Sequence, residues 1–248
     1  MRFEDATGRQ LDPARAIAPQ LYRLLRERII RNELPPGTRI SETEIAARYA
    51  VSRQPVREAF IKLSGEGLMA IRPQRGTIVT RIDYAAVLDA RFLREAIEAD
   101  IVRVLASDPS PAVVADLRRQ VSRQKDTGAR FELAFMQLDD AFHRALAEGI
   151  GKAGAWKLIE GLKSQMDRVR FLALKQFPVG KLVEQHRALV DRIAAGDAPG
   201  AERAIRDHLR EVLNDLPDIV RAHPDFFDMP DGDPPRPVNA PIQGGDRQ

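Results

Sequence analysis

"ISETEIAARYAVSRQPVREAFIKLSGEGLMAIRPQRGTIVT", residues 40–80, holds two helix starts in close succession and then a hairpin. Ser41 is a good N-cap, and Glu44 three residues on completes a capping box, which predicts a short helix over about Glu42–Tyr49. Ser52 repeats the device. Pro55 sits in the first turn, where its missing N–H costs nothing, and Gly65 and Gly67 end this second helix. The run from Leu68 to Ile82 reads as two short strands around a turn containing Pro73 and Gly76. Upstream, Leu21, Leu24, Leu25 and Ile29 form an apolar stripe in a helix from about Pro19 to Asn32, stopped by "LPPG".

Helix, Pro-Gly loop, short helix, tight turn, second helix and hairpin describe a winged helix-turn-helix. Its second helix would enter the major groove N-terminus first. Ser52, Arg53 and Gln54 stand at that start, and Arg57 lies one turn on along the same face. Arginine reads guanine bidentately and glutamine reads adenine. Arg75 and Gly76 at the hairpin tip suit a wing. The bland alternative is a capped helix with ordinary solvated arginines. Charge argues against it: residues 1–81 hold 15 Lys/Arg against 9 Asp/Glu, whereas residues 82–248 hold 24 against 27. A basic N-terminal third on a mildly acidic remainder divides a polyanion-binding part from one with another task.

From Asp83 the pattern is helical almost throughout, with helices expected at about 83–106, 110–127, 129–148, 152–176, 179–195 and 199–215. Gly128, Phe177-Pro178 and Gly196 are among the punctuating residues, and the last helix is expected to end before Pro217. The fold class is therefore mainly α, an N-terminal winged helix-turn-helix followed by an antiparallel all-α bundle of about six helices. The expected divisions are a flexible arm at 1–17, the winged helix at 18–81, the bundle at 82–216, and a disordered, Pro-rich tail at 217–248 that cannot bury a core. There is no run of eighteen apolar residues, so no membrane span is expected. "MRFEDATGRQ" lacks the apolar core of a secretory signal. The chain has no cysteine, which excludes disulfides and thiolate metal sites and fits a reducing cytoplasm.

Only four histidines are present, and three fall inside helices of the bundle. Asp139 and His143 are one turn apart, and His186 and His208 each lie on a separate amphipathic helix. Three histidines and an aspartate from three helices could bind a divalent cation, with an N/O set that suits Zn, Ni, Mn or Fe. Against this, a lone helical histidine is often satisfied by a nearby carbonyl, and Asp139–His143 could be a surface pair. Arg168 and Arg170 are read as a solvated face before a pocket wall, and Trp156 and Phe171 as core. His223 has no assigned role.

Residues 18–80 resemble the DNA-binding domain of the GntR family of bacterial transcription regulators, through "SRQPVREA" at 52–59, "LSGEGL" at 63–68 and "RGTIV" at 75–79. The resemblance implies DNA contacts from Arg53 and Arg57, phosphate or base contacts from Ser52 and Gln54, and a wing tip at Arg75-Gly76. Two positions depart: Ala50 stands where glycine is usual, and Thr43 where some members carry a basic residue. Residues of about 83–216 resemble the FCD effector domain of the FadR subfamily, whose metal-binding aspartate and three histidines match Asp139, His143, His186 and His208. In "FLREAIEADIVRVLA", Arg94 matches an arginine that meets an effector carboxylate, although Glu98 is an available salt-bridge partner. Six helices suggest the shorter, VanR-like branch rather than the seven-helix, fatty acyl-responsive branch. "GIGKAG" at 149–154 departs from the family's run, so the pocket wall near Lys152 is expected to differ.

Together these readings imply a cytoplasmic, homodimeric transcription regulator, more often a repressor in this family. It would bind a two-fold operator in double-stranded DNA and answer to a small organic acid at a metal. The rivals are a metal-dependent enzyme using the Asp/His set and a regulator that senses the metal itself.

Overall fold

Leu21, Leu25 and Ile29 line one face of α1 (Ile17–Ile30) and are fully buried, as the apolar stripe predicts. The computed structural model describes residues 11–72, 76–127, 132–176 and 179–230. Arg75 at the wing tip, Gly128, Phe177, Pro178, the first ten residues and the tail from 231 onward lie outside the described residues. The chain divides into two units, Met1–Arg81 and Ile82–Gln248.

In the first unit, α1 is followed by β1 (Arg39–Ile40), α2 (Glu42–Arg48), α3 (Arg53–Gly65), β2 (Met69–Arg72) and β3 (Gly76–Val79). The strands form an antiparallel sheet in the order β1-β3-β2, so the hairpin gains a third strand that the sequence pattern does not reveal. Two residues are too few to carry an alternation. Ile45, Val56, Phe60, Leu63, Met69 and Val79 close the core against α1. Part of the expected loose arm is tied down. Gln20 exchanges two hydrogen bonds with the backbone of Asp12, at 2.8 and 2.9 Å, and Leu11 packs on the core.

Ser41 caps α2 as expected, accepting from the backbone of Thr43 and Glu44. Ser52 takes the N-cap position of α3, with φ −69° and ψ 162°, but its hydroxyl makes no capping bond. The sequence removes one of the two possible donors. A capping hydroxyl bonds the N–H of the second or third helical residue, and the third here is Pro55, which has none. Ala50, in the turn between α2 and α3, has φ +51°. The departure from glycine thus falls on a left-handed residue, where a Cβ costs roughly 1–2 kcal/mol.

The second unit contains seven helices among the described residues: α4 (Tyr84–Ser107), α5 (Pro111–Thr127), α6 (Glu132–Gly149), α7 (Ala153–Leu162), α8 (Ser164–Gln176), α9 (Gly180–Ala194) and α10 (Ala198–Ala222). The single helix expected over 152–176 is two. The chain breaks at Lys163, whose ammonium is drawn inward to Asp167 and Asp140 at 2.7 and 2.8 Å. With seven helices rather than six, the helix count loses its value as support for the VanR-like branch. α4 lies at the centre, packed on α10, α8, α6 and α9. Lys181 and Gln185 of α9 both bond Glu211 of α10, while His186 meets His208, so these helices run antiparallel.

α10 does not stop before Pro217 but continues to Ala222. Pro217 is exposed, while Leu213, Leu216 and Ile219 are buried in one apolar cluster. That packing outweighs the hydrogen bond lost at the proline. The start of the expected tail is also built in. A 3-10 turn, Pro224–Phe226, leads to β5 (Phe227–Asp228), which pairs in parallel with β4 (Ile82–Asp83). Phe227 is buried among Ile82, Val87 and Leu216. Composition misses this because one aromatic anchor suffices to hold a short polar segment.

Candidate metal centre and nucleic-acid interface

Asp139 and His143 lie on the buried face of α6, His186 on that of α9 and His208 on that of α10. One ligand atom from each falls within 4.8 Å of all the others, and all four residues are buried. His186 Nε2 lies 3.1 Å from His208 Nε2 and 3.5 Å from Asp139 Oδ1. His143 Nε2 lies 3.3 Å from His208 Nε2 and 3.7 Å from Asp139 Oδ2.

The outer nitrogens fix the tautomers. His143 Nδ1 donates to Glu98 Oε2 at 2.5 Å, His186 Nδ1 to Gln124 Oε1 at 2.7 Å, and His208 Nδ1 to Gln185 Oε1 at 3.0 Å. Both amides are held the right way round. Gln124 Nε2 donates to the Leu138 carbonyl at 3.3 Å, and Gln185 Nε2 to Glu211 Oε2 at 3.2 Å. Each imidazole therefore spends its proton outward and turns a bare Nε2 lone pair inward. Protonation is no remedy. Burial pushes His186 down to about 3, more than Asp139 raises it, and pushes His208 well below the ordinary value.

The carboxylates stay charged. Burial would raise Asp139, but the Arg170 guanidinium beside it holds the carboxyl far below its usual range. Burial likewise opposes the Glu98 anion, and Arg94 with His143 brings it down to about 2. Three lone pairs and an anion converging at a buried point repel one another, and a cation between them relieves this. Outward hydrogen bonds from ligand imidazoles are the usual outer shell of a metal. The N/O donor set fits a borderline divalent ion.

A cavity of about 220 Å³ adjoins the cluster, bordered by Asp139, His208, Arg91, Arg94 and Arg170. Arg94 bonds Glu98 through Nε, so the expected salt bridge is present, while its buried Nη2 has no hydrogen-bond partner. Arg170 grips Asp139, Asp140 and Asp167, and Arg168 is fully buried, which corrects the reading of both as a solvated face. Spacing hides this because α8 is buried nearly all round. Glu98, Gln124, Gln185 and Arg91 also escape sequence reasoning; only the i,i+4 spacing of Arg94 and Glu98 hints at one of them. Trp156 and Phe171 are core, as expected. Lys152 is exposed at the N-cap of α7 and does not border the cavity.

In the first unit, Ser52, Arg53, Gln54 and Arg57 are all exposed on the first turns of α3. Arg53 reaches Glu42 at 3.1 Å, Gln54 donates to Glu58 at 3.0 Å, and Arg57 has no ion-pair partner among the described residues. Gly76 opens β3 with φ +83°, a backbone that favours glycine. No helix among the described residues is long and apolar enough to cross a membrane.

Residues 17–79 match the bacterial regulatory proteins of the gntR family, and residues 89–211 match the FCD domain. The HTH-type transcriptional repressor RspR of Escherichia coli K12 is 38% identical over 220 residues, 88% of this chain and 96% of the relative. A regulator in an unstable DNA locus of Streptomyces ambofaciens is 41% identical over 209 residues, 84% of this chain and 88% of that protein. Among solved structures, E. coli McbR/YncC aligns with a TM-score of 0.67 at 15% identity, covering 84% of this chain and 99% of that one. A putative GntR regulator from Rhodococcus sp. RHA1 aligns at 0.65 and 23%, covering 83% and 98%. These two likenesses speak for the fold alone.

Proposed function

This chain belongs to the GntR family of bacterial regulatory proteins, with an FCD domain behind its helix-turn-helix, and from that premise we propose a repressor that holds a metal and answers to a small organic acid. It is a DNA-binding transcription regulator and not an enzyme. What carries the finer reading is the outward commitment of three Nδ1 protons, which leaves three Nε2 atoms and Asp139 facing a common point.

Asp139, His143, His186 and His208 would hold the ion, whose contribution is a Lewis-acid anchor for an acidic ligand. Glu98, Gln124 and Gln185 orient the imidazoles. Arg94 offers its unpartnered Nη2 to a carboxylate in the adjoining cavity. On the DNA side, Arg53 and Arg57 read or neutralise the major groove, Ser52 and Gln54 assist at the helix start, and the wing at Gly76 meets the backbone. The uncapped hydroxyl of Ser52 is free to donate to a phosphate.

Two copies act on a two-fold operator in the cytoplasm. Phe92 and Leu93 on α4, with Leu158 and Leu162 on the adjoining α7, are large apolar side chains left exposed, and they supply the face between copies. An acid that binds one arrangement of the dimer better than the other shifts DNA affinity by its differential binding, typically about 1–3 kcal/mol.

A thermal-shift screen of small organic acids tests the reading on metal-loaded and chelator-stripped protein. Acids that stabilise only the loaded form support it. Acids that stabilise both forms equally refute metal anchorage. Operator affinity that follows free metal with no acid present favours direct metal sensing instead.

A further inference from the structure

The cavity beside the cluster carries charged groups and apolar walls, and one of its acids, Asp215, has nothing to hold among the described residues. His208 and Asp215 both border it, seven positions apart on α10, which is roughly 10 Å along the axis. The antiparallel α9 gives the same direction, with His186 at the level of the cluster and Lys181 toward the opposite end. Near the cluster stand Arg94, which bonds the Glu98 that holds His143, and Arg170, which bonds Asp139. The lining also includes the apolar Phe135, Met166 and Leu174.

At the far end the charges sort into a satisfied pair and a remainder. Lys181 Nζ is committed to Glu211 at 2.5 Å, and Glu211 also accepts from Gln185. Asp215 is half-buried and has no hydrogen-bond partner among the described residues. Burial, with Glu211 beside it, raises its carboxyl above the ordinary aspartate value. At the near end, Arg94 is 4% exposed and its Nη2 lacks a partner. The cavity thus joins a buried donor without an acceptor to an acceptor without a donor.

We propose that the effector is a monocarboxylic acid carrying a hydrogen-bond donor, hydroxyl or ammonium, on its far end, and that Asp215 is the specificity residue that receives it. This rests on the reading that an acid binds at the Arg94 end. A second carboxylate there would meet Asp215 and Glu211 as a like charge, so dicarboxylates are excluded. A plain alkyl acid would leave Asp215 unpaired in a partly dry site.

Calorimetry on the Mn²⁺-loaded full chain tests this with straight-chain acids of four and six carbons, each as the plain acid, the ω-hydroxy acid, the ω-amino acid and the dicarboxylate. The expected result is that, at the better length, the hydroxy or amino acid binds about tenfold or more tighter than the plain acid, with the dicarboxylate weakest. Asp215→Ala removes the preference. Asp215→Asn removes it for an amino acid and keeps it for a hydroxy acid, which separates the two donors. A plain acid whose binding needs Arg94 but which binds as well as its ω-substituted forms overturns this inference alone. So does an order unchanged by Asp215→Ala. Failure of every acid to bind, or binding indifferent to Arg94→Ala, refutes the acid reading and this inference with it.

Discussion

His186 and His208 face each other Nε2 to Nε2 at 3.1 Å, and each has already given its Nδ1 proton outward, to Gln124 and Gln185. Two neutral imidazoles in those tautomers cannot hydrogen-bond each other. The contact makes chemical sense around a cation, and the polar shell behind the rings is what keeps it so.

Gln124→Leu removes the acceptor that orients His186 and leaves the fold of α5 intact. Metal affinity should fall about 10- to 100-fold, measured by competition with a chromogenic chelator. An unchanged affinity contradicts the orienting role.

Arg94→Ala should abolish the response to the acid while leaving DNA affinity in its absence unchanged. The lost charge-assisted bond corresponds to about 10- to 100-fold in acid affinity by calorimetry. Because Glu98 would lose its guanidinium partner, Arg94→Lys serves as a second variant. It keeps the charge but not the bidentate fork, and should be intermediate.

Arg57→Ala should weaken binding to DNA selected by the parent from a random library by about 1–3 kcal/mol, without loss of helicity. Arg118→Ala, an exposed arginine of the second unit, is the control and should leave affinity unchanged. Equal affinities for parent and Arg57→Ala would remove α3 as the reading helix.

Ala50→Gly should stabilise the winged helix by about 1 kcal/mol, because φ +51° is strained for alanine and free for glycine. The melting temperature of the N-terminal unit should rise. A fall would mean that the entropy glycine adds to the unfolded chain outweighs the relieved strain.

The winged helix was legible because capping and breaking residues mark its ends: Ser41, Ser52, Pro55 and the glycines after Leu63. The three candidate histidines were legible because histidine is scarce and each lies beside apolar residues at helical spacing, and Asp139 because it stands one turn before His143. What surrounds them was not. Gln124 and Gln185 look like ordinary helix-surface residues, and only the packing of α5 and α9 turns them toward His186 and His208. The break at Lys163 and the run of α10 through Pro217 depend on long-range contacts that override local signals. Phe227 shows the limit of composition, since it anchors a segment whose neighbours read as tail.

Trp156, the chain's single tryptophan, gives the most direct test, because its ring lies 6.3 Å from the His143 ring in a nearly parallel stack. Chelator-stripped protein and its His186→Ala variant are titrated with Mn²⁺ while tryptophan fluorescence is followed and bound metal is counted by elemental analysis. The parent should quench with a break at one ion per chain, and the variant should show neither break nor bound metal. A parent that binds no ion, or a variant that titrates like the parent, contradicts the shared centre on which the sensing half of the account stands.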